Sequence, residues 1–276
     1  SQAPFIFDNS VLDIYLTLKT GSTLFLIPQE LFTFPIKVVE YLEKNEINFI
    51  FWVPSVMANI AALDLLKGVN LSLEFIIFAG EVMPVKTMNY FKSRFKNAVL
   101  ANLYGPTETT VDCAYYVVDR DFSDEESLPI GYPCKNTDVF LLDENDAPVT
   151  AQNTLGELCV RGASLALGYY NDSVKTASAF TQNPLNLAYP ERIYRTGDLA
   201  YYNERGELMY KGRKDFQIKH MGYRIELGEI ETAALSLNGV DSACALYDGA
   251  IVLIYTSQTA ASQREILLNL GKIFSQ

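Results

Sequence analysis

The sequence predicts an α/β fold: a parallel sheet flanked by helices, then a small β-barrel-like section, then a small α+β C-terminal domain. Three observations carry this expectation. From Pro35 to Leu103 short apolar runs alternate with helical stretches, the signature of βα units. After Glu108 helical stretches give way to short strands separated by turn-rich segments, as in antiparallel barrels. Beyond Asp215 a helix and strands alternate again. The divisions are 1–110 for the α/β core, 111–214 for the β-rich section and 215–276 for the start of the C-terminal domain.

Taken in order, Phe7-Asp8-Asn9-Ser10 opens a helical run over 11–18. Residues 36–44 are helical, with Ile36, Val39, Tyr41 and Leu42 apolar. Residues 47–53 form an apolar run rich in β-branched and aromatic side chains, and 55–66 are helical again. Residues 75–79 read as a strand, 84–95 as a helix opened by proline, and 98–103 as a strand. Such continuous apolar strands are expected to be buried on both faces. Ligands bind beyond the carboxyl ends of strands of this kind. The β-rich section offers strands at 111–118, 138–142, 157–161, 199–202 and 208–211, with Asp143-Glu144-Asn145-Asp146 and Asn203-Glu204-Arg205-Gly206 as turns. Residues 180–192 hold Asn183-Pro184 and Tyr189-Pro190 and read as a long surface loop. In the last section 229–237 is a helix, 241–247 and 251–256 are strands, and 263–274 is a helix.

Composition excludes several functions. The chain has 276 residues, a formal net charge of -11 and 49% hydrophobic residues. Without basic clusters it does not suit nucleic acid or an anionic membrane surface. No apolar run reaches the ~18 residues of a membrane span. Cys113, Cys134, Cys159 and Cys244 are scattered without a CxxC pair, which reads as reduced cytoplasmic thiols. The single histidine, His220, rules out a His-rich zinc site. It lies in Lys219-His220-Met221-Gly222, read as a loop, with no nucleophile elbow nearby.

The most informative stretch is Asn102-Leu103-Tyr104-Gly105-Pro106-Thr107-Glu108. A strand that ends in an aromatic ring, a Gly-Pro turn and an acid can stack a nucleobase and hold a metal–phosphate pair. Tyr104 reads equally as a core tyrosine, and Thr107 also suits a helix N-cap. Gly80-Glu81 directly follows a strand, either as a plain βα turn or as a place where backbone approaches a ligand. Asp198, after Thr196-Gly197, suits the vicinal hydroxyls of a ribose or an Asx-type turn. Arg213 is a ribose-side candidate or a surface ion pair. Asp8 is a helix N-cap or the partner of a cation.

This heptapeptide closely resembles the nucleotide-binding motif of adenylate-forming enzymes. Two further stretches resemble the same family in the expected order. These are Tyr194-Arg195-Thr196-Gly197-Asp198-Leu199, and Gly212 to Gln217 running on to Arg224 to Glu231. The whole chain resembles the central and C-terminal parts of adenylation domains of nonribosomal peptide synthetases, and is similar to D-alanine–carrier protein ligases in 80–85. The resemblance implies ATP and Mg²⁺ as cofactors and activation of an amino acid as its adenylate. It also implies transfer to the phosphopantetheine thiol of a peptidyl carrier protein.

The resemblance also assigns roles. Gly80 and Glu81 lie beside adenine, Asn102 faces its edge and Tyr104 stacks on it, with Gly105 allowing close approach. Thr107 contacts the α-phosphate and Glu108 the metal. Asp198 holds the ribose, and Arg213 reaches it from the other domain. Asp8 pairs with the substrate ammonium, while Asn9, Leu12, Phe51, Ile77, Ala79, Leu103, Val111 and Asp112 line the substrate pocket. Asp215 is the hinge, and Lys219, Gly222 and Arg224 face the second acceptor. The family's Ser/Thr/Gly-rich phosphate loop and its final Asn-Gly-Lys segment do not occur among these residues, so the chain alone is expected to be a fragment that does not complete adenylation. An acyl-CoA ligase, a non-catalytic nucleotide-binding remnant and a purely structural α/β module are the alternatives.

Overall fold

A computed structural model describes residues 1–214, 217–220, 223–235, 237, 240–247 and 250–257. Asp215, Gly222 and the helix expected over 263–274 lie outside the described residues. The chain falls into two compact units, Ser1–Lys214 and Asp215–Gln276.

The first unit opens with α1 (Asn9–Thr20), closed by Gly21 in the left-handed conformation. A 3₁₀ turn, Gln29–Thr33, precedes α2 (Pro35–Lys44). Then come β1 (Phe49–Trp52), α3 (Pro54–Ala62), β2 (Phe75–Ala79), α4 (Val85–Arg94) and β3 (Val99–Tyr104). Proline begins both α2 and α3, where its missing N–H costs nothing. The helix expected to reach residue 66 stops at Ala62, and Asp64 follows with φ 48. β1, β2 and β3 pair in parallel, as expected.

Two antiparallel strands extend this sheet: β4 (Ala114–Val117) and β5 (Tyr132–Pro133). The strand expected at 111–118 therefore joins the first sheet and not the barrel-like section. The cause is the short β3–β4 link, since a parallel pairing needs a crossover of a dozen or more residues.

The core fixes which face of the sheet is available for a site. Ile50, Trp52, Ile76, Phe78 and Leu100 share a buried cluster with Val39 and Leu42 of α2, Met57 and Ile60 of α3, and Met88 and Phe91 of α4. By strand alternation Phe51, Ile77, Ala79 and Leu103 lie on the opposite face. The parallel sheet is thus flanked by helices, as expected, with α2, α3 and α4 sharing its core on one face. Neighbouring parallel strands joined by right-handed crossovers place both connecting helices on one side.

A second, antiparallel sheet follows. It comprises β6 (Thr137–Leu142), β7 (Gly156–Gly162), β9 (Arg192–Tyr202) and β10 (Leu208–Arg213), in the order β10-β9-β7-β6. Between β7 and β9 lie α5 (Ser173–Ala179) and β8 (Phe180–Gln182). Neither was expected. α5 carries little apolar periodicity and is fixed by Asp172, whose carboxylate accepts the Lys175 N–H at 2.8 Å. The supposed loop at 180–192 starts as a strand because Phe180 is buried and pairs with Tyr194. Cys113, Ile130, Leu141, Leu158, Val160, Ala200 and Leu208 form the second core.

In the second unit, β11 (Gln217–His220) and β12 (Tyr223–Glu226) make a hairpin, so His220 ends a strand and not a loop. α6 (Leu227–Leu235) precedes a second hairpin, β13 (Val240–Tyr247) and β14 (Ile251–Ser257). Ala234 packs with Val240 there, and Glu231 accepts the Ala245 N–H at 2.9 Å.

All four cysteines are free. Burial pushes the Cys113 and Cys159 thiols up to about 12, while Cys244 is exposed. Only a thiolate reacts readily. In native protein near neutral pH, iodoacetamide followed by peptide mass spectrometry is expected to label Cys244 first. Cys113 and Cys159 should react only after unfolding; equal labelling of all four would show these burials wrong.

Candidate active site

The site is built around the reversal that joins β3 to β4. Tyr104 ends β3, and a Cβ at Gly105 would stand 2.3 Å from the Val111 carbonyl oxygen and 2.5 Å from the Asp112 Cα. Glycine is needed there so that the chain can pass itself. The sequence reading placed that close approach against a ligand; the structure places it against residues 111–112. After Pro106 comes a 3₁₀ turn, Thr107–Thr109. Thr110 and Val111 then take φ 59 and 71, a left-handed conformation costing roughly 1–2 kcal/mol per residue. Thr110 Oγ1 holds the turn by donating to the Ser164 carbonyl at 2.7 Å.

This turn presents Thr107 to Asp8. The Thr107 hydroxyl donates to Asp8 Oδ2 at 2.7 Å, across 99 residues of sequence. Asp8 precedes α1, yet its side chain makes no capping bond to the helix. The helix-cap alternative for Asp8 is therefore not what the structure shows. Thr107 likewise spends its hydroxyl on Asp8 and not on a helix end.

On the other side of the turn, Tyr104 donates its hydroxyl to Asp198 Oδ2. Arg213 Nη1 donates to Asp198 Oδ1 at 2.9 Å, and Asp198 and Arg213 are directly paired across β9 and β10. Asp198 and most of the Arg213 side chain are buried, so this is not a surface ion pair. Arg213 belongs to the first unit, which corrects the expectation that it arrives from the other domain. Thr196 makes the local turn bond, accepting the Asp198 N–H at 2.9 Å. Burial, followed by the Asp198 charge, pushes the Tyr104 phenol well above its ordinary value.

Glu108 is buried and accepts the Tyr169 hydroxyl on Oε1 at 2.6 Å. Among the described residues no group of three or more His, Cys, Asp or Glu could hold a metal. A dedicated protein cage is therefore not formed by them. One buried carboxylate does fit Mg²⁺, which commonly takes one or two carboxylates together with substrate phosphates.

The remaining expected residues distribute as follows. Phe51 and Ala79 are buried, Ile77 and Leu103 half-buried, all on the sheet face opposite the α2–α4 core. Asn9 and Leu12 are half-buried on α1, Val111 is buried and Asp112 half-buried in the turn. Gly80 ends β2 with φ 92. Glu81 turns its carboxylate to the start of α3, accepting the Ser55 N–H at 2.9 Å. Asn102 shares its face with Phe78 and donates its amide to the Pro129 carbonyl at 2.8 Å.

Sequence reasoning missed three residues. Tyr210 faces Tyr104 with ring centroids 6.3 Å apart. Tyr169 holds Glu108. Glu157 is buried and accepts from Arg195 Nη1 and Lys214 Nζ, each at 3.2 Å, and from the Gly197 N–H at 3.3 Å. Only Glu157 carried a signal, an acid directly before the apolar run Leu158-Cys159-Val160.

A polar, partly buried cluster beyond the carboxyl ends of parallel strands marks this as a ligand-binding α/β protein. The chain belongs to the AMP-binding enzyme family, whose model matches residues 1–170. It is 40% identical over 236 residues to a D-alanine–D-alanyl carrier protein ligase of Lacticaseibacillus casei, covering 84% of this chain and 45% of that protein. The Vibrio cholerae adenylation domain AlmE, solved with glycyl-adenosine-5'-phosphate, superposes with a TM-score of 0.86 at 26% identity, over 97% of this chain and 51% of that one. PA1221, a protein containing adenylation and PCP domains, gives a TM-score of 0.81 at 29% identity, over 97% of this chain and 54% of that one. The chain spans about half the length of the curated relatives it matches.

The two glycines of the site are expected to respond differently to alanine. Gly80→Ala meets no atom closer than 3.6 Å and should cost about 1–2 kcal/mol through its backbone conformation. Gly105→Ala must displace the 111–112 backbone and should cost about 3 kcal/mol or more. Urea denaturation of both variants checks the order; equal losses would contradict the reversal geometry.

Proposed function

We propose that the full protein activates an amino acid with ATP and passes it to the phosphopantetheine thiol of a peptidyl carrier protein. The observation that carries this is the Asp8–Thr107 hydrogen bond. It sets a carboxylate suited to an ammonium beside a hydroxyl suited to a phosphate. An aminoacyl-adenylate carries both groups, separated by one carbonyl and one methine carbon.

In this reading a carboxylate oxygen of the amino acid attacks the α-phosphorus of ATP and pyrophosphate leaves. The carrier thiol then attacks the acyl carbon and AMP leaves. Tyr104 and Tyr210 form the wall for adenine beside Gly80, Glu81 and the backbone at Gly105. Asn102, through its strand, sets the depth of that wall. The Asp198 carboxylate, with about four acceptor positions, receives the ribose hydroxyls beside Arg213. Glu108 holds Mg²⁺, which supplies neutralisation of phosphate charge when bound. Phe51, Ile77, Ala79, Leu103, Val111, Asp112, Asn9 and Leu12 surround the side chain of the substrate. Catalysis is then mostly positioning and electrostatics.

Asp215 serves as the hinge of a mobile C-terminal domain in this proposal, with Lys219 and Arg224 toward the acceptor. A cytoplasmic location suits a reaction that uses ATP and a reduced thiol. No helix among the described residues is long and apolar enough to cross a membrane.

Two substitutions in the full-length protein test the reading. Asp198→Ala should lower amino-acid-dependent ATP–pyrophosphate exchange at least tenfold, since a lost charged hydrogen-bond partner costs about 1.5–3 kcal/mol. Unchanged exchange would remove the ribose role. The unmutated protein should prefer an amino acid over its des-amino analogue by on the order of a hundredfold, because the analogue brings no cation to the Asp8 carboxylate. Asp8→Ala should abolish most of that preference with little change in melting, as Asp8 makes no cap bond. Equal activation of both acids by the unmutated protein would assign it to acyl-CoA ligase chemistry instead.

A further inference from the structure

Glu108 is gripped by a segment far from it in sequence. The Ala166 N–H donates to the Glu108 carbonyl at 2.9 Å, and the Tyr169 hydroxyl donates to Glu108 Oε1 at 2.6 Å. Thr110, two residues on, donates to Ser164 at 2.7 Å. Residues 164–169 thus hold the 108–110 turn at three points. The segment is itself tethered. The Tyr169 N–H donates to Thr176 Oγ1 on α5 at 2.8 Å. Arg192 Nη2 donates to the carbonyls of Ala166 and Leu167 at 3.0 and 3.1 Å. The Tyr169 ring packs edge-on against buried Phe180, with centroids 5.8 Å apart.

We propose that Tyr169 is a positioning residue for metal binding: its hydroxyl sets the orientation of the Glu108 carboxylate toward a divalent cation on the nucleotide phosphates. This rests on the reading of Glu108 as the metal ligand. The chemistry of the donor supports it. A lysine or arginine at this place would neutralise the carboxylate and compete with the cation. A phenol hydroxyl orients one oxygen and leaves the negative charge in place. The nearby cation, Lys175, has its ammonium 4.9 Å from the Tyr169 ring centroid. The Tyr169 hydroxyl also lies 3.4 Å from that of Tyr194. Tyr194 is on the strand that carries Asp198, so one tyrosine pair joins the metal side of the site to its ribose side. Hydrogen-bonded partners of metal ligands typically matter by 10–100-fold in metal affinity.

The test compares Tyr169→Phe and Glu108→Gln in the full-length protein. Mn²⁺ is the probe, its binding to the complex with the α,β-methylene analogue of ATP being followed by electron paramagnetic resonance. Tyr169→Phe is expected to weaken Mn²⁺ binding about tenfold or more. Metal-free binding of the analogue and the melting temperature should stay near those of the unmutated protein. Glu108→Gln should weaken Mn²⁺ at least as much. If Glu108→Gln loses Mn²⁺ and Tyr169→Phe does not, the positioning role is overturned and the ligand role of Glu108 stands. If neither variant loses Mn²⁺, the reading of Glu108 falls and the proposal with it. If Tyr169→Phe weakens the metal-free analogue as much as it weakens Mn²⁺, Tyr169 is a general support of the pocket and the proposal is overturned.

Discussion

The arrangement of the site depends on the absence of a side chain at residue 105. Because the Val111 carbonyl and the Asp112 backbone occupy the place of a Cβ, β3 can reverse within a few residues. The parallel sheet then continues as an antiparallel one. That reversal puts Tyr104 at the last position of β3, Thr107 at the start of a 3₁₀ turn and Glu108 in a buried place behind it. Left-handed Thr110 and Val111 complete the turn at an energetic cost. Strain of this kind persists only where surrounding contacts over-determine it. The hydrogen bonds from residues 164–169 supply those contacts.

Three buried carboxylates then set the electrostatics: Glu108, Glu157 and Asp198. An unpaired buried charge is expensive, and breaking a buried pair costs roughly 3–5 kcal/mol. Each of the three is met by named donors. Asp198 has Tyr104 and Arg213, Glu157 has Arg195, Lys214 and the Gly197 N–H, and Glu108 has Tyr169. Their positions are therefore set by the protein's own contacts. Preorganised groups need little rearrangement when a polar ligand arrives. The raised Tyr104 phenol belongs to this balance, because a neutral hydroxyl can donate to Asp198 and a phenolate could not.

What was legible in the sequence was local. Residues 75–79 are apolar throughout and became β2 with those bounds. Pro84 marked the start of α4, which begins at the next residue, Val85. Tyr104, Asp198 and Arg213, singled out from three separate motifs, come together, with Tyr104 and Arg213 ending their strands and Asp198 inside β9. What was not legible was long-range. No local pattern joins Asp8 to Thr107, or Tyr169 to Glu108, across 99 and 61 residues. α5 was missed because its stability comes from the Asp172 cap and its packing, and not from an apolar stripe. β8 was missed because two prolines nearby suggested a loop, although the pairing with β9 ends before either of them. Which elements cover each face of the sheet was not read from the sequence, because apolar strands look alike whatever covers them. Strand order decides that question, and strand order is not written in any single strand.

The same network reaches Lys214, the residue before the proposed hinge at Asp215. Lys214 is fixed twice: its N–H donates to the Gly197 carbonyl at 2.8 Å and its ammonium to Glu157 at 3.2 Å. Gly197 in turn precedes Asp198, and its own N–H returns to Glu157. A hinge transmits rotation cleanly only if the residue before it stays still while the next absorbs the change in dihedrals. Here the anchoring of Lys214 and the anchoring of the Asp198 turn are one set of bonds. A rotation beginning at Asp215 would leave the ribose side of the site undisturbed, because any motion reaching Lys214 would first have to break a buried carboxylate's contacts. Glu157 therefore ties Lys214 to the Gly197-Asp198 turn.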